Sequence, residues 1–465
     1  MKRFFLLITL LLSSIYISIA QLKSRVDECF ELTSIAFRLA DAKEYVNNDI
    51  PDYTYSIDNF FIKHNNHKLI SYIKEIRNKY GIGYDAVAVA TGFLEVRNGK
   101  VLVKSDVKIS EISQADSRWT EQNFETFVKL LNDFYQKTKF RSFYAQHASF
   151  YKLAEEKMDE VLKDFNIEWF RSLFGDIQKP IVIVSLCNGP HNYAFSIPGE
   201  IKRDGMVIGS VVDAKGIPVF NKNLMYIIAH EYLHNYTNPR ISNNWEKIDS
   251  AAQIIYSYVE EDMSKLAYGN AQTTINEWFT NLFSIMYIQD NPINNLSDIK
   301  LISQNQNDGF IWMERSIIFM DHFRNNKKQF TTIDDYMPQI IGFINYTANH
   351  FEQVSNEFNN REPYIVDIFP SPGSTIKLNV DTIKIRFSEQ MFGAHGMSPI
   401  DENITPIPWA IMPSWENEYT FIIVLDKNRL EKGKSYGIKL DHEFFQSKKR
   451  YSIKEDYIYT FKTSN

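Results

Sequence analysis

Two histidines and a glutamate are spaced for metal chemistry in the segment Leu224-Met-Tyr-Ile-Ile-Ala-His230-Glu231-Tyr-Leu-His234-Asn-Tyr. The apolar pattern around them is helical, and on a helix side chains four residues apart share a face one turn apart. The imidazoles of His230 and His234 can therefore both reach a single zinc ion at ~2.1 Å. Glu231 lies beside the ion rather than on it, where a carboxylate can take a proton from metal-bound water whose pKa has fallen to about 7. With 10 His in 465 residues, an accidental H-E-x-x-H arises in roughly one chain in a hundred. The competing reading, an exposed helix with both histidines in solvent, conflicts with the apolar surroundings, because a buried histidine pair without a partner is costly.

A hydrolytic zinc site needs a third protein ligand and a position left for water. The metzincin arrangement requires Gly and His or Asp at positions 237 and 240, where this chain has Thr237 and Arg240, so that subclass is excluded. Asn276-Glu277-Trp-Phe-Thr-Asn281 offers a carboxylate within a later apolar helical run. It resembles the N-E-x-x-S-D motif of thermolysin-type gluzincins. That resemblance implies Glu277 as third ligand and Asn281, one turn on, as the group that orients a ligand imidazole. An amide stands here where the motif has Asp, and it polarises imidazole less than a carboxylate does. Glu260 and Glu261, in Val259-Glu-Glu-Asp262, compete for the third position, though such an acidic run usually solvates a helix face.

Peptide hydrolysis at zinc also needs a donor for the oxyanion. Tyr336, His322 and His350 lie downstream, where gluzincins often place such a group, and Tyr336 ranks first among them. His191, in the turn Asn188-Gly-Pro-His-Asn-Tyr193, is a further candidate to line the cleft, whereas His64, His67 and His147 read as structural or exposed. The apolar run Met206 to Val212, just upstream of the motif, is expected to be an edge strand able to pair with an extended peptide.

The elements that must position these groups follow from periodicity and turn residues. From Val26 to about Leu173 amphipathic helices are expected, Trp119 to Tyr135 among them, with one hairpin formed by Asp85 to Leu94 and Val101 to Ile109 around Asn98-Gly99. Strands are expected at Ile181 to Leu186 and Met206 to Val212. The motif helix should run from about Lys222 to Tyr236 and stop at Asn238-Pro239. Helices near Trp245 to Lys265 and Gln272 to Ile288 follow, and helical patterning continues to about Phe358. After Glu362-Pro363 short alternating runs take over, among them Thr382 to Phe387, Tyr419 to Leu425 and Tyr457 to Phe461, separated by turn residues, which is the pattern of a β-sandwich.

Lys2 and Arg3 precede the apolar run Phe4 to Leu12, and small residues at Ser18 and Ala20 suit a signal peptidase, so residues 1–20 read as a signal peptide cut after Ala20. Spanning a bilayer takes about 20 apolar residues, more than this run or any later segment supplies. The expected location is periplasmic or extracellular. There Cys29 and Cys187, the only cysteines, could pair or remain apart, since their separation in space is not a property of the sequence. Two cysteines are too few for a Cys-rich zinc finger, which leaves His and carboxylates as metal ligands. A net charge of −6 without a long basic stripe argues against nucleic acid as a partner. At 44 % hydrophobic and 23 % charged residues, disorder is excluded and a packed core is expected.

Two wider resemblances add to this. The segment Val26 to Phe358, through Leu32-Thr-Ser-Ile-Ala-Phe-Arg-Leu39, Tyr84-Asp-Ala-Val87 and His230-Glu-Tyr-Leu-His-Asn-Tyr-Thr-Asn-Pro239, resembles a family of exported bacterial domains of unknown function. The C-terminal segment resembles bacterial Ig-like domains through Phe387-Ser-Glu-Gln-Met391, Leu430-Glu-Lys-Gly-Lys-Ser-Tyr436 and Tyr459-Thr-Phe-Lys-Thr463. Such domains usually act as spacers or adhesive modules that contact a glycan or cell surface. The expected organisation is an α+β zincin-like domain over residues 21–362 followed by an all-β Ig-like sandwich over 363–465. The expected function is zinc-dependent hydrolysis of peptides or proteins. Its rivals are a non-catalytic binding or adhesion protein on the same scaffold, and hydrolysis of a non-peptide amide.

Overall fold

Phe124, Phe127, Leu131 and Phe134 recur at helical spacing, and the chain folds there as the helix Glu121–Thr138 with all four rings and side chains buried. Thr120 and Asn123 close its N-terminus reciprocally, each accepting from the other's backbone N–H at 3.2 and 2.8 Å. The computed structural model describes residues 22–199, 202–220, 223–293, 296–401 and 404–465. The expected signal peptide lies outside the described residues. The chain is α+β, with a largely helical part followed by a C-terminal β-sheet region. It divides into two compact units, one ending at Pro239 and one beginning at Arg240.

The first unit surrounds a four-stranded sheet. In chain order its strands and hairpins are β1 (Ser24–Arg25), the hairpin β2 (Leu94–Arg97) and β3 (Lys100–Val103), then β4 (Ile181–Ser185), β5 (Tyr193–Ile197), β6 (Arg203–Gly209), and the ribbon β7 (Val211–Val212) and β8 (Pro218–Val219). The main sheet runs β1-β4-β6-β5, with β1, β4 and β6 parallel and β5 antiparallel to β6. The expected edge strand Met206 to Val212 is therefore divided: its first part lies in the interior strand β6, Val211–Val212 is β7 of the ribbon, and the edges of the sheet are β1 and β5. The burial patterns give the reason: β6 is buried on both faces, as interior parallel strands are, whereas β5 alternates, with Tyr193, Phe195 and Ile197 turned inward.

A second departure from the expected pattern is Asp85–Gly92, which is a helix and not a strand. Every residue from Ala86 to Gly92 is buried, so apolar side chains line all sides and no helical period is left to detect. The hairpin itself is β2–β3, and its turn residues Asn98 and Gly99 have φ of 52° and 71°, as the tight two-residue turn requires.

Two glycines in β6 permit close approach. A Cβ at Gly205 would come within 2.7 Å of the Ile181 carbonyl oxygen, with the Phe195 ring covering the other side. One at Gly209 would come within 2.6 Å of the His191 carbonyl oxygen, beside that of Gly189. The turn carrying His191 thus rests on bare backbone, and Asn192 Oδ1 fastens it by accepting from the Gly209 N–H at 3.0 Å.

The second unit holds helices through Asn359 and strands from Ile365 onward. Trp245–Lys265 packs against both Ala271–Asp290 and Ile333–Asn349. Beyond Glu362-Pro363 come β9 (Ile365–Phe369), β10 (Thr375–Ile376), β11 (Thr382–Phe387), β12 (Met397–Ser398), β13 (Thr405–Pro406), β14 (Ser414–Asn417), β15 (Thr420–Val424), β16 (Ser435–Leu440) and β17 (Tyr457–Thr463). One sheet runs β14-β15-β11-β9, and the other β10-β17-β16-β12 with β13 also on β16. Ile383, Ile385, Phe421 and Ile423 from the first meet Tyr436, Ile438, Tyr459 and Phe461 from the second in one core, while Lys384 and Arg386 point out. Among the described residues no helix is long and apolar enough to cross a membrane.

Candidate metal centre

The motif helix spans Leu224–Ser242. Met225, Ile228, Ala229, Tyr232 and Leu233 are buried. The Tyr232 ring lies 4.9 Å from that of Phe170, and its hydroxyl donates to the Gln178 carbonyl at 2.6 Å. That packing fixes the rotation of the helix and leaves His230, Glu231 and His234 half-buried on another side. The helix does not stop at Asn238-Pro239 as expected. Proline removes one backbone donor, but near a helix end the loss is small, and the last turn is held from outside the ladder. Arg240 forks onto Asp334 at 2.8 and 2.6 Å, and Asn244 Nδ2 donates to the Arg240 carbonyl at 3.0 Å.

The imidazoles of His230 and His234 stand nearly perpendicular at 4.6 Å, with their Nε2 atoms 3.0 Å apart. His234 Nδ1 lies 3.3 Å from Asn238 Oδ1. An amide oxygen only accepts, so a proton on Nδ1 would satisfy this contact and turn the Nε2 lone pair toward His230. Asn238 was read in the sequence only as a turn residue; its position four after His234 on the same face is the signal that could have found it.

Glu277 sits in the helix Ala271–Asp290, whose N-cap Asn270 accepts from the Thr273 N–H at 2.8 Å. Trp278 and Phe279 beside it are buried, and Trp278 Nε1 donates to Ser316 Oγ at 3.0 Å. Glu277 itself is half-buried. One ligand atom from each of His230, His234 and Glu277 lies within 4.8 Å of the other two, the only such group of three or more metal-ligating side chains among the described residues. Asn281 is buried one turn beyond Glu277.

The other expected residues differ in exposure. Glu260 and Glu261 are exposed, and Glu261 pairs with Lys265 at 3.4 Å, as on a solvated helix face. Tyr336 is buried among Phe319, Phe323 and Phe330, with its hydroxyl 3.1 Å from His322 Nδ1. His350 stacks on Tyr346. His67 caps the helix Lys68–Tyr80 by accepting from the Leu69 N–H and meets Asp133 at 3.1 Å, and His147 packs on Phe143 and Tyr53. His191 lies against Tyr84 and Tyr193.

Comparison with curated proteins gives no match. A family comparison matches residues 15–343, a stretch that contains His230, Glu231, His234, Glu277, Asn281 and Tyr336 and ends before β9. Because the match covers well over half of the chain, this protein belongs to the family described as Domain of unknown function (DUF4932).

Proposed function

We propose that the chain is an exported, zinc-dependent peptidase of gluzincin type, carried by a zincin-like domain and followed by an Ig-like sandwich. The observation that carries this reading is the convergence of ligand atoms from His230, His234 and Glu277. Two imidazole nitrogens and one carboxylate oxygen are the donor set of a hydrolytic zinc site. Ligand nitrogens ~2.1 Å from one tetrahedral ion stand roughly 3.4 Å apart, close to the 3.0 Å between the Nε2 atoms here. When bound, zinc would polarise the scissile carbonyl and acidify the attacking water.

The chain's own residues do the rest. His230 and His234 present Nε2 lone pairs, and Asn238 holds His234 in that tautomer. Glu277 supplies a negative charge, and Asn281 serves as a further orienting group. Glu231 takes the proton of the attacking water and delivers it to the leaving amine nitrogen. Tyr336 enters as oxyanion donor by exchanging its bond to His322, and a Tyr336→Phe enzyme with undiminished kcat would return it to packing. The substrate is a peptide or protein. The two sheets around one core support an Ig-like module for surface or glycan contact.

The test combines metal analysis with a peptide-library digest. Stoichiometric zinc, chelator-sensitive cleavage and its loss in Glu231→Gln are expected. A Glu231→Gln protein that cleaves as fast as wild type overturns the reading, and a zinc-loaded protein that cleaves nothing favours a binding protein on the same scaffold.

A further inference from the structure

Tyr193 is a buried polar group that the proposed chemistry leaves unused. It opens the edge strand β5 and is 9 % exposed, and its hydroxyl makes no hydrogen bond among the described residues. A buried hydroxyl without a partner is unfavourable, and folded proteins retain few of them.

Two loops from distant parts of the sequence place rings on it. The Tyr84 ring lies 6.4 Å away and nearly perpendicular, and the His191 ring 6.4 Å away and nearly parallel. Tyr84 and His191 meet edge-on at 6.3 Å. Both are exposed, so they form a rim above the Tyr193 floor.

Each loop is braced independently. Tyr84 has a φ of 53°, unusual for a bulky residue, and its N–H donates to Glu44 Oε1 at 3.2 Å. The Glu44 side chain is fully buried and accepts from Arg77 Nη2 at 2.9 Å. On the other side, Asn188 Nδ2 donates to the His191 carbonyl at 2.8 Å, and the turn rests on Gly209.

Tyr193 feels the charge of Glu231, the base of the proposed chemistry. Burial holds the Tyr193 phenol protonated, and the charges acting with it include those of Glu44, Asp85 and Glu231. Glu44 is neutralised by Arg77, and Asp85 by Arg118 at 2.7 Å. A rim of rings with compensated charges suits a flat apolar side chain better than a cation.

We propose that Tyr84, His191 and Tyr193 form a substrate subsite, in which the two exposed rings select an aromatic side chain and the Tyr193 hydroxyl donates to a main-chain carbonyl of the same peptide. This deepens the peptidase reading and rests on it.

The test is a peptide set varied at the positions flanking the scissile bond and digested by wild type, Tyr193→Phe, Tyr84→Ala and His191→Ala. Wild type should favour an aromatic residue at one position. Tyr84→Ala and His191→Ala should raise KM about tenfold for those peptides and leave alanine peptides unchanged. Tyr193→Phe should lower kcat/KM about tenfold for all peptides alike, as loss of one hydrogen bond to substrate predicts. Tyr193→Phe removes only an oxygen and the other two side chains are exposed, so folding should survive, which melting checks. Cleavage by wild type with the same residue preference in all three variants overturns the subsite and leaves the peptidase standing. No cleavage by wild type removes both.

Discussion

Asn238 Oδ1 and His234 Nδ1 face each other at 3.3 Å across one turn of the motif helix. The contact orients an imidazole from within the same helix, so it forms as soon as the helix does. Asn238→Ala should lower zinc affinity ten- to a hundredfold, roughly the effect of removing such a partner elsewhere. Asn238→Asp should keep or tighten it, because a carboxylate accepts more strongly. Competition against a chelator of known affinity measures both.

Glu231 and its neighbour His230 should separate cleanly by substitution. Glu231→Gln is expected to retain zinc while turnover falls about a hundredfold to ten-thousandfold, the range for loss of a positioned acid–base group. His230→Ala is expected to lose the metal and the turnover together. Metal content and kcat measured on the same preparations decide it.

Glu31 carries a prediction about pH. Its carboxylate is fully buried, accepting from the Leu186 N–H at 2.9 Å and the Tyr53 hydroxyl at 2.7 Å. Burial raises its pKa from 4.5 to about 7, against the pull of those hydrogen bonds. The folded protein therefore binds this proton more tightly than the unfolded chain does. The contribution is complete below about 4.5 and is lost as pH rises through about 7. Urea unfolding at pH 5 and pH 8 should show wild type losing roughly 2.5 kcal/mol relative to Glu31→Gln over that interval. Parallel curves for the two proteins would contradict it.

Cys29 and Cys187 are both free and buried. Burial pushes both thiols well above their usual range, with Asp27 adding to the effect at Cys29 and Glu31 at Cys187. The reactive species is the thiolate, so neither should react with iodoacetamide in the native protein, and both should once it unfolds. A reductant should leave the melting temperature unchanged. Mass spectrometry of the alkylated protein reads the first expectation and a thermal melt the second.

What could be read from the sequence was what local spacing decides. His230 and His234 need only one helix to meet, and Trp245–Lys265 has the bounds its periodicity implies. Glu277 was reachable because its helix and a motif resemblance pointed to the same residue. Asp85–Gly92 was misread because a helix buried on every side shows no amphipathic stripe. β5 went unnoticed because five residues after a tight turn carry little pattern. The interior place of β6 depends on which strands flank it, and strand order is set by packing far away in the chain. Asn238 was hidden by Pro239, whose reputation as a helix breaker assigned both residues to a turn.

Gly205 and Gly209 bear on how tolerance to change is interpreted in this protein. Alanine at either would drive a methyl group into a neighbouring carbonyl, and at position 209 the loop displaced is the one bearing His191. A saturation library sorted for function should therefore show blank columns at 205 and 209 as deep as those at 230 and 234, although neither glycine has a side chain with which to do chemistry.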